Sequence, residues 1–183
     1  LGRNWAKDSA GNILFNKSVT HTPNDLGFDY AYGHSGSLDM PPYVYVENAM
    51  ATSIPIDSTG NNDYMEFWRK GLTAPDFKHN EVTPGFFDKA NQYIKDRTKE
   101  SKPFFLYLAL PSPHTPILPV GKWKGKSGLN SYGDFVMMID HHIGQLMQST
   151  EEKGIKDNTL FIFTTDNGCS PRAKFEELAI KGH

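Results

Sequence analysis

Cysteine is all but missing: the 183-residue chain holds one, Cys169. A single thiol excludes an intrachain disulfide framework and any metal site built from several cysteines. Long apolar runs are missing too, and none approaches the ~20 residues that a membrane-spanning helix requires. Positive charge is not in surplus. Nineteen Lys and Arg stand against 21 Asp and Glu, a net charge of −2, so no basic stripe marks the chain as a nucleic-acid binder. The opening Leu1-Gly2 has no initiator Met and none of the basic and apolar regions of a signal peptide. The closing Lys181-Gly182-His183 falls where a helical pattern is ending. Both ends are therefore expected to continue in a longer polypeptide.

What is present suits a folded domain: 38% hydrophobic residues, 13% aromatic, and a length that can bury a core. Residues 1–80 are rich in Gly, Pro, Asn and Asp, with a brief strand-like patch at Tyr43-Val44-Tyr45-Val46. Their aromatics argue against disorder. A loop-rich surface layer is expected over 1–80, and a helix–strand–helix–strand core over 81–183. In that core Thr83-Pro84 reads as an N-cap and first turn. Phe86, Phe87, Ala90, Tyr93, Ile94 and Arg97 then recur at helical spacing. Residues 103–110, PFFLYLAL, are apolar on both alternating faces, as in a strand covered on both sides. Tyr132, Phe135, Val136, Ile139, Ile143, Leu146 and Met147 share one helix face, with Gly154 as its stop. A second buried strand is expected over 159–165, and a further helix around Phe175, Leu178 and Ala179.

Strand, helix, strand forms a βαβ unit, whose two strands run parallel with a right-handed crossover. Both carboxyl ends then share one sheet edge, where ligands of open α/β folds bind. His114 follows the first strand by four residues, and Asp166-Asn167 follow the second directly. One rim thus receives an imidazole and two oxygen donors. The plainer readings stay open. Asp166-Asn167-Gly168 makes an ordinary strand-to-helix turn as readily as a metal site, although the helical pattern after Pro171 disfavours a hairpin. His114, between Pro113 and Thr115-Pro116, reads from the chain alone more readily as an idle loop residue than as a site residue, although the prolines fix φ around it. Asp134 and Asp140 read as capping or pairing groups. Of His141 and His142, one reads as a face residue and the other as solvated. Cys169 reads as a small buried residue rather than a nucleophile, since no activator is assignable to it.

PFFLYLALPSPHTPILP, YGDFVMMIDHHIGQLM and NTLFIFTTDNG, in that order and spacing, resemble the sulfatase family of the alkaline phosphatase superfamily. GFDYAYG, SLDMPPYVYVEN and FEELAIKGH extend the resemblance over nearly the whole chain. It implies an α/β fold, a mostly parallel mixed sheet flanked by helices, present here incompletely as a central fragment of the catalytic domain. It implies hydrolysis of aryl or carbohydrate sulfate esters, with Asp166 and Asn167 as ligands of a divalent cation. Calcium is the usual ion and magnesium the alternative; hard oxygens suit both. It also implies that His114 contacts the sulfate ester, as hydrogen-bond donor or general acid. The family's nucleophile is a formylglycine made within a Cys-x-Pro-Ser-Arg motif. These residues contain no such motif, and Cys169-Ser170-Pro171-Arg172 has the wrong order. The formylglycine is therefore expected outside this chain, and the chain alone is expected to be inactive. The implied partners are a sulfated small molecule or glycan, with neither nucleic acid nor membrane, and self-association through uncovered core surface. The family's compartments are periplasmic, secreted or lysosomal. A phosphodiesterase or phosphonate hydrolase of the same superfamily, or a non-catalytic sulfate- or glycan-binding module, is the alternative.

Overall fold

The structure is a computed structural model and describes residues 4–100 and 102–182. The chain divides into two compact units, Leu1–His79 and Asn80–His183.

The first unit is built from short antiparallel strands. β1 (Tyr32–His34), β2 (Tyr45–Glu47) and β3 (Met50–Ala51) form one sheet, with Gly33 opposite Val46 and Val46 opposite Ala51. Asn48 makes the tight β2–β3 turn at φ +53°, a conformation that asparagine tolerates. Its amide oxygen accepts from the Ala31 N–H at 3.0 Å. β4 (Asp57–Asn61) and β5 (Trp68–Thr73) form a second ladder, shifted between Thr59 and Asn61. A parallel bridge from Tyr43 to Thr73 joins the two sheets. Gly71 is obligatory there, because a Cβ at that position would lie 2.2 Å from the ring of Pro41.

The core of this unit is aromatic. Tyr43, Val44, Val46, Leu38 and Phe77 are buried, and so is His79. The His79 ring stacks on Trp68 at 4.0 Å and meets Tyr43 edge-on at 4.4 Å. Burial pushes its imidazole down to about 4, against a smaller upward pull from a hydrogen bond to the Leu38 backbone.

The second unit rests on helices. α1 (His79–Arg97) buries Val82, Phe86, Phe87, Ala90 and Ile94. It begins earlier than the Thr83-Pro84 pair suggests, and Pro84 lies inside it. Pro84 forfeits only one ladder bond there, and Val82 extends the apolar face a turn further back. The Thr83 hydroxyl shares a 2.5 Å hydrogen bond with Ser112 Oγ, in the loop that carries His114. α2 (Ser131–Glu152) buries Phe135, Met138, Ile139, Leu146 and Thr150. Val136 and Met147, expected on that face, are exposed. Phe87 of α1 stacks on His142 of α2 at 5.0 Å, and Ser149 Oγ donates to Asn91 Oδ1 at 2.7 Å. α3 (Phe175–Ile180) closes the chain. No described helix is long and apolar enough to cross a membrane.

The two apolar runs depart from expectation. Residues 103–110 and 159–165 lie outside the helices, and among the described residues neither takes part in a strand ladder. The parallel pair is therefore not formed among the described residues. Along 103–110, half-buried and exposed residues alternate, with Tyr107 71% exposed. In the second run Leu160 is 84% exposed and Ile162 81%. Being apolar on two faces states what a strand needs; it does not supply the neighbours that satisfy it.

His79 makes the stability of the first unit pH-dependent. A buried imidazole with a depressed pKa stays neutral while the unfolded chain takes up a proton below its ordinary 6.5. Stability from this residue is then complete above pH 6.5 and declines as pH falls toward 4, by up to ~3 kcal/mol. Denaturant titrations between pH 4 and 7 check this. The slope is expected in the native chain and absent from His79→Phe; equal slopes in both would refute it.

Candidate active site

The loop from Pro111 to Val120 holds His114 over a firm base. Ser112 is tied to Thr83, and Thr115, Ile117 and Leu118 are buried at 4%, 0% and 8% exposure. His114 itself is exposed, and its Nδ1 lies 2.6 Å from the Thr115 carbonyl oxygen. The side chain is thus presented outward from an anchored segment.

Asp166 and Asn167 occupy a bend directly after the second apolar run, and both are exposed. Thr165 Oγ1 donates to the Asn167 carbonyl at 2.8 Å and steadies the bend. Beyond it, Ser170 Oγ accepts from the Arg172 N–H at 3.3 Å, and Ala173 is fully buried. The Ala173 carbonyl accepts from Asn130 Nδ2 at 2.9 Å. The same Asn130 caps α2, its Oδ1 accepting from the N–H groups of Tyr132 and Gly133. One asparagine therefore ties the segment that follows the bend to the start of α2, a link that no local sequence pattern announces.

Asp134 is a pairing group. Its carboxylate accepts from Gly125 N at 2.6 Å, Ser127 N at 2.8 Å and Ser127 Oγ at 2.7 Å. Desolvation pushes its pKa up, but the bonds from Ser127, Gly125 and Lys126 outweigh it and hold the carboxyl below its ordinary range. Three donors on one buried carboxylate fold the 121–130 loop onto α2. Cys169, expected to be buried, is exposed. Burial, and then the neighbouring Cys169 thiol, hold the Tyr132 phenol above the usual range. His141 and His142 are both half-buried; His141 lies 4.9 Å from the Trp123 ring.

As donors, Asp166 and Asn167 offer a carboxylate and an amide oxygen, hard groups of the kind that Ca²⁺ or Mg²⁺ accepts. They fit in kind but not in number, since Ca²⁺ takes roughly six to eight oxygens. Among the described residues no three His, Cys, Asp or Glu side chains come together as a metal site.

The chain is similar to known proteins over most of its length. The sulfatase family model matches residues 9–182. The chain belongs to the sulfatase family. It is 28% identical over 192 residues to an N-acetylgalactosamine-6-O-sulfatase of Bacteroides thetaiotaomicron, covering 86% of this chain and 37% of that protein. To the human N-acetylgalactosamine-6-sulfatase it is 30% identical over 154 residues, covering 81% and 27%. A structure solved in work on the metabolism of multiple glycosaminoglycans by the same Bacteroides species superimposes with a TM-score of 0.77 at 26% identity. It covers all of this chain and 45% of its own. The fold is accordingly a partial α/β domain of the sulfatase type, and the chain spans less than half the length of each of these relatives.

Replacing Asp134 by Ala strands three donors and is expected to cost ~3 kcal/mol. Because the folded pKa lies below 3.8, this contribution is present above that value and is lost as pH falls through the folded pKa. Urea unfolding of the native chain and the variant at pH 7 and pH 3 measures it. The difference should be largest at neutral pH; a variant equally destabilised at both would show that the charge is not what the loop needs.

Proposed function

We propose that these residues form part of the catalytic site of a sulfuric ester hydrolase acting on carbohydrate sulfates. The family match across residues 9–182 carries the reading. His114 contacts the sulfate ester, and Asp166 and Asn167 contribute oxygens to a divalent cation, Ca²⁺ or Mg²⁺. When bound, that cation supplies positive charge against the ester oxygens. His114 hydrogen-bonds a sulfate or leaving-group oxygen and, when protonated, holds the proton that a departing alkoxide requires. No residue here fits the formylglycine precursor, so no step through it is assigned to this chain. The relatives' names make 6-O-sulfated N-acetylgalactosamine the first substrate to offer.

The test is sulfate release, by the natural polypeptide that carries these residues and by the 183 residues alone. The natural polypeptide should release sulfate, and His114→Ala should lower kcat by roughly 10²–10⁴-fold, the range for loss of a positioned acid or base. Binding of the sulfated sugar without turnover would replace the enzyme by a glycan-binding module. The 183 residues alone should turn over no aryl sulfate, with or without Ca²⁺. Calcium-dependent turnover by that chain, abolished in His114→Ala, would overturn the reading of a partial site.

The same reading carries a proposal about association. Tyr107, Leu160, Ile162 and Phe163 lie exposed on apolar runs that join no ladder among the described residues, and open apolar edges pair with like edges. A second copy of the chain is the expected cover. Light scattering across a concentration series should show a rising mass that Leu160→Asp with Ile162→Asp suppresses. A constant monomer mass in the native chain would refute it.

A further inference from the structure

We infer that the main-chain carbonyl of Thr115 is a positioning group for His114, holding its imidazole as the Nδ1–H tautomer so that Nε2 is the nitrogen offered to a sulfate ester. The role of Nε2 rests on the sulfatase reading; the tautomer does not.

The argument begins with what a carbonyl can do. Its oxygen accepts and never donates, so a ring nitrogen 2.6 Å from it must carry the hydrogen. A neutral imidazole has one N–H, and here that hydrogen is committed to Nδ1. The carbonyl also needs this donor. Thr115 is buried, a buried carbonyl without a partner is costly, and among the described residues no main-chain N–H donates to it. His114 is the partner that the structure supplies.

The acceptor is fixed from both sides. Pro113 and Pro116 restrict the backbone, Pro116 and Ile117 are packed into the interior, and Ser112 is bonded to Thr83 of α1. The imidazole therefore hinges on an immobile oxygen while its far edge stays exposed. Neutral, the ring presents a lone pair at Nε2. Protonated, it presents Nε2–H, and the proton it exchanges is always that one, because Nδ1–H remains bonded in both states. An imidazole with freely exchanging tautomers would divide this capacity between two nitrogens pointing in different directions.

The Thr115 side chain is not the agent. Its Oγ1 is buried without a hydrogen-bond partner, so Thr115→Ala removes the hydroxyl and keeps the carbonyl. Nitrogen-15 NMR of the ring nitrogens, on chain labelled at its seven histidines, reads the tautomer with no substrate or cation present. His114→Gln identifies the His114 signals by their loss. With the ring neutral, Nδ1 is expected in the protonated-nitrogen range and Nε2 far downfield in the unprotonated range, with Thr115→Ala showing the same pattern. Two averaged signals, or the reverse order, would overturn the inference. A tautomer that changes in Thr115→Ala would overturn it as well, by moving the role to the hydroxyl. Failure of the sulfate-release test leaves this result untouched, and failure here leaves the sulfatase reading standing.

Discussion

The geometry of the second unit depends on a small set of polar bonds at the start of α2. Apolar packing gives that helix its buried stripe, yet packing alone does not choose where neighbouring loops attach. Asp134 gathers Gly125 and Ser127, and Asn130 caps the helix while holding the Ala173 carbonyl. Lys181 adds bonds from Nζ to the carbonyls of Gly128, at 3.0 Å, and Leu129. The segment after Asp166-Asn167 is thereby held by main-chain and side-chain bonds at its far end, where few apolar side chains are available to hold it. Buried charge-assisted bonds are strong when every donor is matched, and Asp134 meets that condition.

Much of the helical architecture was legible because periodicity is a local property. Of Phe86, Phe87, Ala90, Tyr93, Ile94 and Arg97, which recur at helical spacing, Phe86, Phe87, Ala90 and Ile94 are buried, and Tyr93 and Arg97 are half-buried. Gly154, read as a stop, adopts φ +67° just past α2. The errors fall where local pattern under-determines the answer. Val136 and Met147 sit at the margin of the α2 stripe, where a rotation of a few tens of degrees separates interior from solvent, and the deeper positions went to Met138 and Thr150. Cys169 was read as buried from its residue type, but the short turns around Ser170 and Pro171 leave it outside.

The strands were the least legible. A helix satisfies its own backbone, so its sequence contains nearly everything needed to place it. A strand satisfies its backbone through neighbours, and its composition reports only that such neighbours are wanted. PFFLYLAL and TLFIFTT carry that request clearly. Within the described residues the ladders are instead those of the first unit, formed by Tyr45–Glu47 and Trp68–Thr73, in stretches whose composition announced only loops and one brief strand.

This asymmetry bears directly on the site. His114 and Asp166-Asn167 each follow one of the unladdered runs, so each has one well-anchored side and one that is not. His114 is anchored on its carboxyl side by Thr115 to Leu118; the bend at Asp166-Asn167 is anchored downstream by Ser170 and Ala173. On the upstream side both lean on backbone whose hydrogen-bonding edges are open. Pairing those edges would fix the distance between imidazole and carboxylate, a quantity that neither anchored loop determines alone. If Asp166 and Asn167 hold a cation as proposed, ligand geometry and sheet completion are coupled: a cation drawing both into one coordination sphere would also restrain the end of the second run. The ordering cost of the unpaired edge is then charged against cation affinity. An exposed pair of donors carrying one formal negative charge has little binding energy to set against that cost. Cation binding and completion of the sheet should thus behave as one linked equilibrium.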